Sequence, residues 1–285
     1  MEKKTLVVSE QIRSACPGFV GGALYAEFRN TEYCEALWDE IRAKAADLKS
    51  RHTVDTIKHI SGIEATRKVY KACGKDPSRY RPSNEQLVRR ILQGKELWAV
   101  NTAVDIGNLV SIGYGYSVGC FDYDKIDGGC ITLGVGLAGE PYEGIGRGTL
   151  NIEGMPVYRD AAGGIGTPTS DNERTKMSLS TTRMLAVVNG YDGDARKLTN
   201  AWSLWRRLTK NTSTPSARQR SFSLSRRVIA WLGLIAGYGS CEASPRKPPC
   251  TCFRSAYTSS RTICRRSPPP NPSRPTASPF SCAGR

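Results

Sequence analysis

The chain has 285 residues and a formal net charge of +15, and the positive excess lies almost entirely at one end. Residues 1–205 contain 26 Lys and Arg against 25 Asp and Glu, whereas residues 206–285 contain 15 basic residues and one acid, Glu242. The overall charge therefore does not indicate that residues 1–205 bind nucleic acid.

This segregation predicts two regions. Residues 1–205 have mixed charge and regular apolar patterning, which indicates a globular domain large enough to bury a core. Residues 206–285 are a low-complexity basic tail rich in Arg, Ser, Pro and Cys, which we expect to be disordered because it cannot bury enough apolar surface. The tail composition is also typical of an out-of-frame reading, so a frameshift after Trp205 is a hypothesis.

The first half of the globular part is predicted to be mainly helical. The apolar patterns of Leu6–Val8 and Phe19–Phe28 favour strands, and a helix is expected to open at Thr31. Further helices are predicted over residues 62–72 and 85–93, the latter behind a capping box formed by Ser83 and Gln86. Residues 97–112 are expected to be a strand that leads into a helix.

Glycine becomes frequent after residue 113, and short strands replace the helical pattern. They are predicted over residues 117–121, 130–135, 155–158 and 184–189, with turns at residues 127–129, 144–148 and 162–166. A last helix is expected over residues 194–204. Helices followed by strands favour an α+β fold over a regular alternation of strands and helices.

Several classes of site find no support in the sequence. There is no phosphate-binding glycine motif, and the two histidines, His52 and His59, have no partners at metal or triad spacing. In the tail, Cys250, Cys252 and Cys264 lack the paired spacing and fourth ligand of a zinc site. We therefore expect no metal and no cofactor.

The expected location is the cytoplasm. Cysteines scattered through the globular part suit a reducing compartment, and the amino-terminal residues lack the apolar core of a signal peptide. The longest apolar run, Val228 to Tyr238, is shorter than the roughly 20 residues that cross a bilayer. A membrane protein is not expected.

Three polar segments interrupt the apolar pattern, and each has a structural and a functional interpretation. Asp105 and Asn108 share a helical face; the aspartate braces a loop, or Asn108 points its amide into a pocket. Asp122 and Asp124 end a strand, where they are either turn acids facing solvent or part of a site. The segment Gly166–Thr175 is either a surface turn or a binding loop.

The functional interpretation of the third segment is a binding loop held by a rigid scaffold. Asp171 and Glu173 are the candidate catalytic residues that position a water, while Thr169 and Ser170 hydrogen-bond a substrate.

In order and spacing, these segments resemble the tRNA-binding editing domain of the phenylalanyl-tRNA synthetase beta subunit, called the B-three/B-four domain, and especially its free-standing relatives. The resemblance runs from about residue 81 to residue 191. It is carried by Arg81-Pro82-Ser83, Asn101, Val104-Asp105-x-x-Asn108, Phe121-Asp122, Asp124-Lys125-Ile126 and Thr181-Thr182. The synthetase's aminoacylation domain is absent from the sequence.

The resemblance implies a strand-rich, barrel-like core with flanking helices. It also implies tRNA or aminoacyl-tRNA as the partner, and hydrolysis of the ester of mischarged tyrosyl-tRNA as the activity. The family's pocket Asn falls on Asn108, its pocket Glu falls on Glu173 within a residue or two, and its pocket His falls on Gly119. The loss of the imidazole argues against an unchanged mechanism.

Three functions remain open from the sequence: a hydrolase that edits aminoacyl-tRNA in trans, a non-catalytic RNA-binding module, and a protein that binds a small molecule or amino acid in the same pocket. Candidate RNA-binding residues are Arg79, Arg81, Arg89 and Arg90, which are either phosphate contacts or the solvated face of a helix.

Overall fold

Two larger β-sheets, a short hairpin and six helices make up the part of the chain that the computed structural model describes, residues 4–212, 219–224 and 230–231. The helices are α1 Glu10–Ala15, α2 Glu35–Arg51, α3 Ser61–Ala72, α4 Ser83–Leu92, α5 Thr102–Tyr114 and α6 Ala195–Thr212. The strands are β1 Thr5–Val8, β2 Val20–Glu27, β3 Ser117–Asp122, β4 Cys130–Val135, β5 Glu143–Gly144, β6 Gly148–Thr149, β7 Pro156–Asp160, β8 Gly163–Gly166, β9 Arg183–Gly190, β10 Gln219–Leu224 and β11 Ala230–Trp231. The predicted α+β class is confirmed.

Neither of the larger sheets is closed. The five-stranded sheet has the order β11-β10-β2-β9-β3 with antiparallel neighbours, and the four-stranded sheet has the order β1-β4-β7-β8 with one parallel pair, β1 and β4. A barrel requires hydrogen bonds between the first and last strands of a sheet, and in the described part of the chain neither sheet has them. The predicted barrel-like core is therefore wrong.

The five-stranded sheet is buried on both faces. Along β2, Leu24 and Ala26 pack into the core under the helices, whereas Ala23 and Tyr25 pack into a second core with residues of the four-stranded sheet. Successive side chains of a strand point to opposite faces, so a strand covered on both sides becomes a continuous apolar run. This explains the unbroken apolar sequence of residues 19–26.

Several predicted boundaries differ from the structure for local reasons. α2 begins at Glu35 and not at Thr31, because the carbonyl of Thr31 accepts hydrogen bonds from the backbone and side chain of Thr102, at 2.8 and 3.0 Å. The capping box is wrong. Pro82 is the N-cap residue of α4, and the amide of Gln86 donates to the carbonyl of Arg81 at 2.6 Å.

Two other predicted elements, a turn and a strand, are not found in the structure. Residues 163–166, expected as a turn, form strand β8, which pairs with β7. Residues 97–100 are extended but pair with no strand, so the strand predicted directly before α5 is not formed. Elsewhere the predicted elements are confirmed, and β4 has the predicted bounds, Cys130–Val135.

Ordered elements continue past residue 205. α6 ends at Thr212, and β10 pairs with β2 from Gln219 to Leu224. The rest of the predicted tail, including Cys250, Cys252 and Cys264, lies outside the described residues. The disorder, the frameshift and the boundary at residue 205 therefore stay predictions. No helix among the described residues has the length and hydrophobicity needed to cross a bilayer.

Candidate functional site

A cavity of about 370 Å³ opens between α4, α5, β3 and the segments that follow β5 and β8. Its apolar walls come from Leu87, Val100, Val104, Gly107, Val118, Ile145 and Met177. Its polar groups come from Ser83, Asn108, Ser111, Cys120, Thr167, Ser170, Asp171 and Lys176. A mostly apolar cavity with a few polar groups, within the size range of about 300–1,000 Å³, is typical of small-molecule sites.

One stripe of α5 forms the floor of this cavity. Val104, Gly107, Asn108 and Ser111 lie at positions i, i+3, i+4 and i+7, which share one helical face. A Cβ atom at Gly107 would lie 3.0 Å from the sulfur of Cys120, so the glycine lets the helix approach β3 closely. The sequence thus places the helix backbone, and with it Asn108, against the sheet.

The side chain of Asn108 is half-buried and faces the cavity. Within residues 4–212, no hydrogen bond joins its amide to another protein group. An amide can both donate and accept, so Asn108 offers a substrate two donors and an acceptor. The pocket-facing interpretation of this residue matches where the structure places it.

The segment that carries Asp171 is held in a tight turn. The N–H and hydroxyl of Thr167 donate to the carbonyl of Ser170 at 3.1 and 3.0 Å, and the Thr167 hydroxyl accepts the N–H of Thr169 at 3.2 Å. The hydroxyl of Tyr142 donates to the same Ser170 carbonyl at 2.7 Å. The turn is therefore fixed by its own hydrogen bonds before any ligand binds.

Asp171 is bound to the edge of the five-stranded sheet. Its Oδ2 accepts the backbone N–H of Cys120 at 3.1 Å, a donor that is free because β3 is an edge strand. Burial raises the pKa of Asp171 to about 7, although the hydrogen bond from Cys120 acts in the opposite direction. A carboxyl with this pKa exists in both protonation states near neutral pH and can serve as a general base.

Cys120 adds a thiol to the wall next to Asp171. Burial, and secondarily the charge of Asp171, raise the pKa of this thiol well above its usual value. A protonated thiol is a poor nucleophile, so the cavity offers no activated cysteine.

Glu173 does not line the cavity. It forms an ion pair with Lys176, which lowers the pKa of its carboxyl, and it accepts the N–H of Gly146 at 3.4 Å. The acidic side chain of this segment that faces the cavity is Asp171, the other predicted catalytic residue.

The predicted substrate-binding residues are only partly brought together. Ser170 lines the cavity, whereas Thr169 is buried away from it, with its hydroxyl bonded to Tyr70 and to the carbonyl of Tyr80. Gly119 lies on the other face of β3, where a Cβ atom would be 2.7 Å from the ring of Phe121. Its neighbours Val118 and Cys120 face the cavity because side chains alternate along a strand.

Other residues that carried the resemblance build the scaffold. Asn101 is the N-cap of α5, and its side chain accepts the N–H of Val104 at 3.1 Å. Asp105 is buried, accepts hydrogen bonds from Trp38 and Val100, and has a pKa raised by burial. These contacts support the loop-bracing interpretation of Asp105.

Asp122 is also structural. Its carboxylate is buried and accepts the hydroxyl of Thr181 at 2.8 Å and the N–H of Asp124 at 3.1 Å. The expectation of two solvent-facing turn acids is wrong for Asp122, whereas Asp124 is exposed and paired with Arg183.

The four candidate RNA-binding arginines have different surroundings. Arg81 and Arg89 approach the buried carboxylate of Glu85, at 3.3 and 3.8 Å. Arg79 is exposed near the ring of Tyr80. Arg90 lies on the stripe of α4 that carries the cavity residues, about half a turn around the helix from Glu85.

Sequence reasoning missed the thiol of Cys120, the side chain of Ser111 and the contribution of Ile145 from the β5–β6 turn. The spacing of residues 104, 107, 108 and 111 would have identified Ser111, and strand alternation would have favoured Cys120 over Gly119. No sequence signal places Ile145, since its position depends on the N–H that it donates to the carbonyl of Asp171 at 3.0 Å. In the described residues, no group of three or more His, Cys, Asp or Glu side chains is arranged to hold a metal ion.

The sequence matches the family model described as the B3/4 domain over residues 65–228, which confirms the resemblance at the family level. A similar solved structure is an N-terminal fragment of the phenylalanyl-tRNA synthetase beta-subunit from Pyrococcus horikoshii, with 14% sequence identity and a TM-score of 0.40. The similarity covers 77% of this chain and 52% of that one, so this chain spans about half the length of that relative. No curated protein matches the sequence.

Proposed function

We propose, on the premise that this chain belongs to the B3/4 domain family, that it binds aminoacyl-tRNA and hydrolyses the ester of a mischarged amino acid in trans. The observation that carries this proposal is that Asn108 and Asp171, far apart along the chain, line one cavity of about 370 Å³. The resemblance of the sequence to a tRNA-binding editing domain suggests a tRNA-related partner.

The proposed reaction needs one water and no covalent intermediate. The ionised carboxylate of Asp171 accepts a proton from a water, whose oxygen attacks the ester carbonyl carbon and forms a tetrahedral oxyanion. An amide N–H of Asn108 donates to that oxyanion. When the bond to the ribose oxygen breaks, this oxygen takes the proton from Asp171. The amino acid leaves as a carboxylic acid, which then loses its proton to bulk water.

The apolar walls would bind the amino-acid side chain. Apolar residues such as Leu87, Val104 and Met177 make up much of the cavity wall, which suits a side chain with a large apolar part. Asn108 and Asp171 would then contact the ester.

We propose the cytoplasm as the setting. The five cysteines in the described part of the chain are all free, and free thiols are typical of a reducing compartment. Phosphate contacts would come from individual side chains such as Arg79 and Arg90, because the net charge of residues 1–205 is close to zero.

A second candidate function is the binding of a free amino acid or a similar small molecule without hydrolysis. The observation that favours it is the absence of a family histidine, since Gly119 lies outside the cavity and no imidazole lines it. The same cavity would then recognise its ligand through Asn108 and Asp171.

The experiment follows ester loss from tyrosyl-, phenylalanyl- and other aminoacyl-tRNAs after addition of the full chain. We expect hydrolysis that Asp171→Asn slows by about 100-fold or more, because general-base catalysis contributes that much. Glu173→Gln is the matched variant and should hydrolyse at the wild-type rate, since its carboxylate is paired with Lys176 outside the cavity. Absence of hydrolysis for every aminoacyl-tRNA, with binding of a free amino acid, would support the second candidate.

A further inference from the structure

An exposed tryptophan lies near the mouth of the cavity. Trp98 is 65% exposed, more than any other large hydrophobic side chain in the described part of the chain. Two residues later, Val100 lines the cavity and is 54% exposed. An exposed aromatic ring beside a cavity offers a flat surface on which a planar ligand group can stack.

Arg90 holds this ring in place. Its guanidinium lies 3.4 Å from the centre of the Trp98 ring, and its Nε donates to the carbonyl of Glu96 at 2.5 Å. Arg90 lies on the same stripe of α4 as Ser83 and Leu87, which line the cavity. One face of the indole is therefore covered by a cation, and the high exposure of the side chain leaves the other face open.

Basic side chains also lie around the cavity. Arg147, on the turn between β5 and β6, donates to the side chain of Gln86 at 2.8 Å and so lies beside α4. Lys176 lines the cavity and pairs with Glu173. With Arg90, these side chains are candidate phosphate contacts.

A flat aromatic surface between cations fits a single-stranded nucleic acid. A nucleobase stacks on an indole whatever its sequence, and the phosphates on either side of the base contact basic side chains. A protein partner would instead call for a contiguous apolar patch, whereas one face of the Trp98 ring is covered by the guanidinium of Arg90.

We propose that Trp98, positioned by Arg90, is the stacking residue for an unpaired nucleobase of an RNA strand whose end reaches the cavity. This inference rests on the proposed function, because the stacked base places the strand's end beside Asn108 and Asp171. Arg147 contacts a phosphate of the same strand.

The test measures the affinity of the full chain for a fluorescein-labelled single-stranded RNA of 12 nucleotides, by fluorescence anisotropy at several salt concentrations. Trp98→Ala is expected to weaken binding by about 5- to 100-fold, since stacking on one aromatic side chain contributes that much. Trp98→Phe keeps a flat ring and should retain most of the affinity. The salt dependence should be unchanged in Trp98→Ala, because no charge is removed, and reduced in Arg147→Ala.

The matched control is Tyr33→Ala, which removes another exposed aromatic ring, 45% exposed and stacked on Trp38. It should bind RNA like the wild type. Equal affinities of Trp98→Ala and the wild type would overturn the inference, and so would wild-type protein that binds no RNA at all.

The two proposals fail in distinguishable ways. If the wild type hydrolyses an aminoacyl ester but Trp98→Ala binds RNA normally, the hydrolase stands and the stacking residue does not. If Trp98→Ala loses RNA affinity but no ester is hydrolysed, the stacking residue stands and the hydrolase does not.

Discussion

At the scale of single residues, Asp171 gives the cavity its chemical character. Its carboxyl receives one hydrogen bond, from the backbone of Cys120, and burial raises its pKa to about 7. The nearby amide of Asn108 is neutral and does not offset a negative charge. Asp171 is therefore a group whose protonation state changes in the range where a cytoplasmic hydrolase would work.

The raised pKa of Asp171 predicts a pH-dependent effect on stability. A carboxyl whose folded-state pKa exceeds its unfolded value of about 3.9 stabilises the fold fully below that value, and this contribution is lost as pH rises through about 7. Asp171→Asn does not ionise, so its free energy of unfolding relative to the wild type should increase between about pH 4 and pH 7.

The increase should be at most about 4 kcal/mol, from 1.36 kcal/mol for each unit of pKa. Urea unfolding of both proteins at pH 4, 5.5, 7 and 8 measures it. A difference that stays constant over this range would show that Asp171 titrates as an ordinary surface carboxyl.

The sequence predicted some site residues and misassigned others. The spacing of Asp105 and Asn108 left open whether the aspartate braces a loop or the amide faces a pocket, and the resemblance placed Asn108 in a pocket; the structure has both arrangements. The composition of the polar loop does not show which of Asp171 and Glu173 faces the cavity. The directions of these two side chains depend on their contacts with Cys120 and Lys176. The resemblance placed Gly119 in the site. Side chains alternate along β3, however, and position 119 faces away from the cavity.

At the scale of elements, α5 decides whether the cavity exists. The helix is buried on nearly every side, and Gly107 lies where it meets Cys120 of β3 and Trp205 of α6. A Cβ atom at Gly107 would lie 3.0 and 3.2 Å from those two side chains, whereas one at Gly113 would have its nearest neighbour at 4.0 Å. Gly107 and Gly113 therefore have the same helix propensity but differ in how closely neighbouring side chains pack against them.

This difference predicts unlike effects of the same substitution. Gly113→Ala should raise the free energy of unfolding by up to about 1 kcal/mol, since alanine is the better helix former. Gly107→Ala gains the same propensity but overpacks the interface, so it should be less stable than Gly113→Ala by about 1–3 kcal/mol. Denaturant unfolding measures both, and equal stabilities would contradict the close approach of α5 to β3.

The elements that the sequence predicted best are those with side-chain patterns. Strand β4 and the paired strands β3 and β9 carry apolar runs, and their bounds were predicted to within a residue. Strand β8 was missed because Gly163, Gly164 and Gly166 show no side-chain pattern, and only its pairing with β7 makes it a strand.

At the scale of the whole molecule, the ordered fold extends beyond the change in composition at residue 205. Trp205 is fully buried, and Leu208, one turn further along α6, is 2% exposed in the core under the helices. Composition alone could not reveal this, because a single helical turn has too few residues to change the average. The barrel-like core was likewise inferred by resemblance, and strand order is not readable from local pattern.

A substitution past residue 205 tests how far the fold extends. Leu208→Ala should lower the free energy of unfolding by about 2–5 kcal/mol, because it leaves a cavity in the core. Lys210→Ala, an exposed residue of the same helix, should change it by less than about 0.5 kcal/mol. A neutral Leu208→Ala would support a domain that ends at residue 205.

A double-mutant cycle on ester hydrolysis shows whether Asn108 and Asp171 act in one site. Single-turnover rates are measured for the wild type, Asn108→Ala, Asp171→Asn and the double variant. Groups that act on the same transition state are not additive, so we predict that the double variant loses less than the product of the two single losses. A loss equal to that product, or Asp171→Asn as fast as the wild type, would contradict a shared site.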